Sequence, residues 1–299
     1  MNFERYMVPY RLFRGSSITY FMSKSYFIVL LSFLILTSCG QSKKEAQLAE
    51  EAELDSIMNE SPDTLQLFEE KELPKAVDEL FDDFFFTFAS DARFQNQRIR
   101  FPLRFKDEDA ELKLTKEDWH NYNRFGQQEF FSVIYEREKD LALQKDTAVH
   151  EVGVQWIYLQ DGYVEKYNFK RIPQGQWVLF NIEKRDVEQT PNGDFVKFYS
   201  QFVADSVFQR SCLVTPIHLH AKPQDDEEES DTELSADDWF EMKSDMPIPK
   251  DVLVTIDYGQ QSTDGNKKNL LMEGVSNGLF MEFKFEKIAG EWRLYGIEI

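Results

Sequence analysis

Apolar residues recur along this chain with two different periods. Val77, Leu80, Phe81, Phe84, Phe85 and Phe88 keep the three-and-one spacing of a single helical face. Pro74 suits the first turn of that helix. Ile99, Phe101, Leu103 and Phe105 then alternate with Arg98, Arg100, Pro102, Arg104 and Lys106, which is the period of a strand. Further strands are predicted near 129–136, 149–159, 163–172 and 176–183, with Asp161-Gly162 as a hairpin turn.

The same succession then returns. Phe81, Phe84, Phe88, Asp91, Phe94, Gln95 and Pro102 reappear as Phe195, Phe198, Phe202, Asp205, Phe208, Gln209 and Pro216. Trp119 recurs as Trp239, and Gly175, Trp177, Leu179 and Ile182 as Gly290, Trp292, Leu294 and Ile297. The second set of strands is predicted near 252–258, 270–275, 279–288 and 291–298, with Asn277-Gly278 as its turn. A period this long reads as two copies of one domain. Asp91 and Asp205 each precede a short helical segment, where the carboxylate can cap free backbone N–H groups. Asn192 or Asp194 is available to cap the first helix of the second copy. A further helix is expected from Thr115 and from Ser235, each with a capping-box spacing to Asp118 or Asp238. Leu114 with Trp119, and Leu234 with Trp239, then occupy hydrophobic-staple positions. Helices followed by an antiparallel meander make each copy α+β.

The N-terminus has another character. Tyr26 to Leu36 is an apolar run preceded by Lys24 and closed by Thr37-Ser38-Cys39-Gly40, the layout of a secretory signal. It is too short for a spanning helix of about 20 residues. Leu36-Thr37-Ser38-Cys39 resembles a bacterial lipobox, which implies a lipid on Cys39 and a membrane as partner. The absence of an acidic residue just after Cys39 favours the outer membrane by the same resemblance. Residues 1–21 add nothing a signal needs, which makes Met22 an alternative start. The predicted organisation is a signal peptide at 1–38, a lipidated tether at 39–72, a first repeat at 73–189 and a second at 190–299. The second repeat carries an acidic insertion at 225–231, read as a solvated loop.

Composition narrows the partners. The chain carries 34 Lys+Arg against 54 Asp+Glu, a net charge of −20. Loss of residues 1–38 removes Arg5, Arg11, Arg14, Lys24 and Glu4, leaving a still more negative chain. Such a charge opposes binding to nucleic acid. Cys212 has no intramolecular partner once Cys39 is lipidated, so it reads as a buried apolar side chain.

The run Phe88-Ala-Ser-Asp91-Ala-Arg-Phe94-Gln95 followed by Ile99-Arg-Phe101-Pro102-Leu103 resembles domain-of-unknown-function family 4348 of bacterial lipoproteins. The Gly-x-Trp-x-Leu-x-x-Ile hairpins at Gly175 and Gly290 resemble the broader nuclear transport factor 2-like (cystatin-like) superfamily. The resemblance implies two tandem domains, each with N-terminal helices packed on a curved antiparallel sheet. It implies no particular reaction. The second copy departs from the narrow motif in Leu213-Val214-Thr215-Pro216-Ile217, where the motif's arginines are lost.

Candidate chemistry is sparse. His218 and His220 share a strand face, but they align with Arg104 and Lys106 on the polar side, and zinc needs three or four ligands. Asp91 and Asp205 qualify as acid–base groups only if an apolar pocket shifts them toward neutral pH. No phosphate loop, Cys-x-x-Cys pair or serine elbow is present, and nothing in the sequence calls for a cofactor. The repeated aromatic landmarks (Phe88, Phe94, Trp119, Trp177, Phe202, Phe208, Trp239, Trp292) read as core. The expected function is a membrane-anchored binding or adaptor module for a protein, peptide or small apolar ligand. The alternative is a pocket enzyme of the dehydratase or isomerase type using an inward carboxylate.

Overall fold

The computed structural model describes residues 75–299 except 108, 109, 121, 223–228 and 264. The expected signal peptide and tether, Met22, Cys39, Pro74 and most of the acidic insertion lie outside the described residues.

The first helical face divides into a 3-10 turn at Lys75–Asp78 and helix α1 at Phe81–Ser90, where one continuous helix is expected from the sequence. The cause lies in the groups around Asp78. Its carboxylate accepts from the Arg98 guanidinium at 2.9 and 3.0 Å and from the Trp177 backbone N–H at 3.0 Å. Arg171 donates to the Asp78 and Glu79 carbonyls, taking acceptors that a continuing helix needs. Asp91 then caps α2 (Ala92–Gln97), accepting from the Arg93 and Phe94 N–H groups at 2.7 and 3.1 Å.

Strand β1 (Ile99–Asp107) follows, with Ile99 and Leu103 buried, and a short β2 (Ala110–Leu114) that the sequence pattern misses. Thr115 starts only a turn, because the Trp119 indole N–H is drawn to Gln95 Oε1 at 2.8 Å in the core. Helix α3 comes later, at Tyr122–Gly126. Strands β3 (Phe130–Tyr135), β4 (Glu151–Tyr158), β5 (Tyr163–Arg171) and β6 (Trp177–Asp186) complete this half. Gly162 sits at φ +72 in the β4–β5 turn, a left-handed conformation in which glycine carries no Cβ penalty.

The second half runs in the same order: α4 (Gly193–Ala204), α5 (Ser206–Ser211), β7 (Leu213–Ala221), β8 (Ser230–Leu234), α6 (Ala236–Met242), β9 (Val252–Asp257), β10 (Lys267–Gly274), β11 (Phe280–Ile288) and β12 (Glu291–Glu298). Asp205 caps α5 as Asp91 caps α2, and Ser235 with Asp238 closes a full capping box on α6. Asn192 and Asp194 do not cap α4. Asn192 Oδ1 accepts from Lys268 and Ser262, and Asp194 accepts from the Trp292 indole and pairs with Lys287. Ser230 and Asp231, expected in the acidic loop, belong to β8.

The expected pair of antiparallel sheets is instead one twelve-stranded mixed sheet, ordered β2-β1-β6-β5-β4-β9-β3-β10-β11-β12-β7-β8. The third strands have changed places: β9 pairs with β4, and β3 pairs with β10. β3 and β9 meet in parallel through Ser132 opposite Thr255. Side chains stitch that thin seam. Ser132 Oγ donates to the Val254 carbonyl at 2.8 Å, and Gln260 donates to the Ile134 and Ile256 carbonyls. The β1–β6 and β7–β12 pairs are parallel as well.

Because side chains alternate along a strand, each exchanged strand feeds two cores. Val133, Tyr135, Val254 and Ile256 join the core beneath α1, while Ile134 and Leu253 join the core beneath α4. The first core holds Phe88, Phe94, Trp119 and Trp177. The second holds Phe202, Trp239 and Trp292, with Phe208 half-buried against it.

Asp91→Ala and Asp205→Ala should each lower stability by about 1 kcal/mol, the usual loss of an N-cap. Urea unfolding of the single and double variants checks this, and two unchanged midpoints would refute the capping roles.

Candidate functional site

A cavity of about 770 Å³ opens beside α1 at the seam of the sheet. Helical periodicity places Phe81, Phe84, Phe85 and Phe88 toward the core, and Asp82, Phe86 and Ala89 on the neighbouring face that walls the cavity. Phe125 and Gly126 of α3 form a second wall. A Cβ on Gly126 would lie 2.7 Å from the Ala89 carbonyl oxygen, so glycine permits the approach of α3 to α1. Phe131 and Val133 of β3, Ile256 of β9 and the adjoining Tyr258 supply the floor, and Glu273 at the end of β10 the rim. Phe86 stands at the cavity 53% exposed, the most exposed phenylalanine of the described chain.

One side is polar. The Tyr258 hydroxyl donates to Asp82 Oδ1 at 2.5 Å, and Gln144 Nε2 donates to Glu273 Oε2 at 3.0 Å. Burial pushes the Asp82 carboxyl up from 3.8 to about 6; the Tyr258 hydrogen bond opposes this, while Glu273 and Asp83 add to it. Asp82 retains surface open to the cavity, so water screens part of its interaction with its neighbours. Burial, together with Asp82, raises the Tyr258 hydroxyl well above the ordinary tyrosine value.

The corresponding place in the second half is nearly closed. A space of about 120 Å³ remains there, lined by Ile157 and Val196. In the repeat register Val196 stands for Asp82. Ile157, one step past the Trp156–Glu165 pair, stands for Glu273, one step past the Met272–Met281 pair. Lys268 lies alongside, its ammonium held by Glu136 at 2.6 Å, Asn192 at 2.8 Å and Ser262 at 2.6 Å.

A second polar cluster lies inside the first half. Arg124 pairs with Glu165 at 2.6 Å, donates to the Tyr158 and Tyr167 hydroxyls and stacks over the Trp156 ring at 4.6 Å. Its partners along β4 and β5 correspond to Met272, Gly274, Met281 and Phe283 in the second half.

The residues singled out from sequence lie elsewhere. Asp91 and Asp205 are exposed caps outside the cavity. His218 is exposed, and His220 Nδ1 lies 2.9 Å from Asp231 Oδ1. No group of three or more potential metal ligands comes together among the described residues. Cys212 is buried in the second core, and burial raises its thiol, disfavouring the thiolate. Sequence reasoning passed over Asp82, Tyr258 and Glu273. The available signal was difference between the two similar stretches of sequence, since Asp82 stands where the other has Val196.

The fold defines an α+β chain of the nuclear transport factor 2-like class. A crystal structure of an NTF2-like protein from Bacteroides fragilis matches with a TM-score of 0.67 and 35% identity, over 74% of this chain and 96% of that one. The family model described as Domain of unknown function (DUF4348) matches residues 61–298, and the chain belongs to that family. A search of curated proteins finds no match.

The raised Asp82 value has a defined sign. The folded state keeps a proton that the unfolded chain releases, so this group's contribution is full below about 4 and is lost as pH rises through about 6. The Asp82 carboxyl resonance should titrate near 6. The fall in melting temperature between about pH 5 and about pH 7.5 should be smaller in Asp82→Asn. A titration midpoint near that of a free aspartate contradicts the account.

Proposed function

We propose that this chain is a lipid-anchored envelope protein that binds a small, largely apolar ligand in the seam cavity without transforming it. The observation that carries this reading is the asymmetry between the halves: a cavity of about 770 Å³ beside α1 against about 120 Å³ at the corresponding place beside α4. The larger volume falls in the range of small-molecule sites, and its aromatic walls suit an apolar body. In this reading the two halves are copies of one NTF2-like unit, tandem in sequence and intertwined by exchange of β3 and β9. Duplication then supplied a second scaffold that could close while the first stayed open. Cys39 carries the lipid, the outer membrane is the favoured location, and the stretch from 39 to 72 tethers the fold to it.

A second reading draws on Asp82. A carboxylate at about 6 beside a tyrosine hydroxyl is placed for proton transfer near neutral pH, as a dehydratase or isomerase requires. The binding reading is preferred because Asp82, the lining carboxyl shifted toward neutral pH, is already engaged by the Tyr258 hydroxyl, while much of the wall around it is aromatic.

Two measurements test this. Ala89→Phe, which places a ring in the cavity, should abolish binding of 4-phenylbutanol followed by ligand-observed NMR while leaving the fold intact; unchanged binding refutes the site. Cys39→Ala should stop incorporation of a labelled fatty acid and release the protein from the membrane fraction. Continued labelling would refute the anchor.

A further inference from the structure

We propose that the seam cavity takes an organic cation, an ammonium or guanidinium head joined to an apolar body. This rests on the reading of the cavity as a binding site and adds the charge class of its ligand.

The lining supplies the argument. Asp82, Asp83 and Glu273 face the cavity, and no Lys, Arg or His stands among its described lining residues. Phe85, Phe86, Phe125, Phe131 and Tyr258 present aromatic surface beside them. A cation over such rings, next to a carboxylate, gains from both.

The treatment of carboxylates elsewhere strengthens the case. Asp78 is paired with Arg98, Glu165 with Arg124, Glu136 with Lys268, and Glu298 with Lys284 and Lys222. Each of these carboxylates is nearly withdrawn from water and has its own cation. Asp82 and Glu273 have only neutral donors, Tyr258 and Gln144. The titratable groups that act on Asp82 are the Tyr258 hydroxyl, Glu273 and Asp83, and none of them is basic. At the cavity, carboxylates stand beside aromatic walls with no cation of the chain's own on them.

The second half supplies the comparison. There the counterparts of Asp82 and Glu273 are Val196 and Ile157, and the Lys268 ammonium occupies the neighbouring polar site. A metal ion is a poorer occupant, because the three carboxylates do not converge into a metal-holding group. A macromolecular chain is also a poor fit to a cavity of about 770 Å³, which suits one small ligand or one side chain.

The test uses three probes of one shape: 4-phenylbutylammonium, 4-phenylbutanol and 4-phenylbutyrate, titrated calorimetrically into the full-length protein at about pH 7.5. The ammonium should bind at least tenfold tighter than the alcohol, and the butyrate weakest. The advantage should shrink several-fold at about pH 5, where Asp82 holds its proton. Asp82→Asn with Glu273→Gln should erase the ammonium preference while the alcohol keeps its affinity, which also reports that the variant is folded. Asp83→Asn alone should reduce the preference by a smaller factor. A blocked Lys-Phe dipeptide, titrated alongside, tells a peptide side chain from a free amine as the source of the cation; tight binding of either supports the class. Equal or tighter binding of the alcohol or butyrate overturns the cation while leaving the cavity reading standing. An ammonium preference that survives in the double variant also overturns it. Failure of every probe overturns both.

Discussion

Each aromatic core of this protein is closed by strands that the other half of the chain shares. β3 leaves its own half to pair with β10, β9 does the reverse to pair with β4, and the two lie side by side at the centre of the sheet. Alternation along these strands sends Val133 and Ile256 to one core and Ile134 and Leu253 to the other. Neither core can be assembled from one half alone, so the halves share a single folding outcome. The sheet centre is consequently apolar on both faces, with helices on opposite sides. The parallel contact there has little backbone pairing, which is why the side chains of Ser132 and Gln260 complete it.

The exchange also shapes the open cavity. It brings Tyr258 from the end of β9 and Glu273 from the end of β10 to the flank of α1. Closing that flank would bury Asp82 and Glu273 among further acidic neighbours, at a desolvation cost that apolar contact does not offset. At the matching place in the other half Val196 and Ile157 carry no such cost, and the space closes down. The open cavity is thus a consequence of which side chains occupy two corresponding positions, on a backbone plan that both halves follow.

Much of this plan was legible in the sequence. Most of the strands other than β2 and β8, the hairpin turns at Asp161-Gly162 and Asn277-Gly278, the caps at Asp91 and Asp205 and the buried tryptophans follow from local periodicity and local hydrogen bonding. What escaped is non-local. The break before α1 depends on Arg98 and Arg171 reaching Asp78 from distant strands. The late start of α3 depends on Gln95 drawing in Trp119. Strand exchange left a trace, for Phe130 to Tyr135 and Val252 to Ile256 are almost unbroken apolar runs. Such runs mark strands covered on both faces, whereas a sheet covered on one side alternates.

The candidate site was missed for a related reason. Repetition draws attention to residues that recur, and those here are caps and core rings whose roles the fold already exhausts. A binding specificity present in one half must rest on positions that do not recur. Asp82 and Glu273 are such positions, and so are Arg124 and Glu165. The two pairs differ in their accounting. Arg124 and Glu165 neutralise each other among the hydroxyls of Tyr158 and Tyr167, so that cluster is complete as it stands. Asp82 and Glu273 are held by neutral donors and repel each other. Of the two unrepeated clusters, only the one at the cavity retains an unmet electrostatic demand, and a ligand that enters there gains most by meeting it.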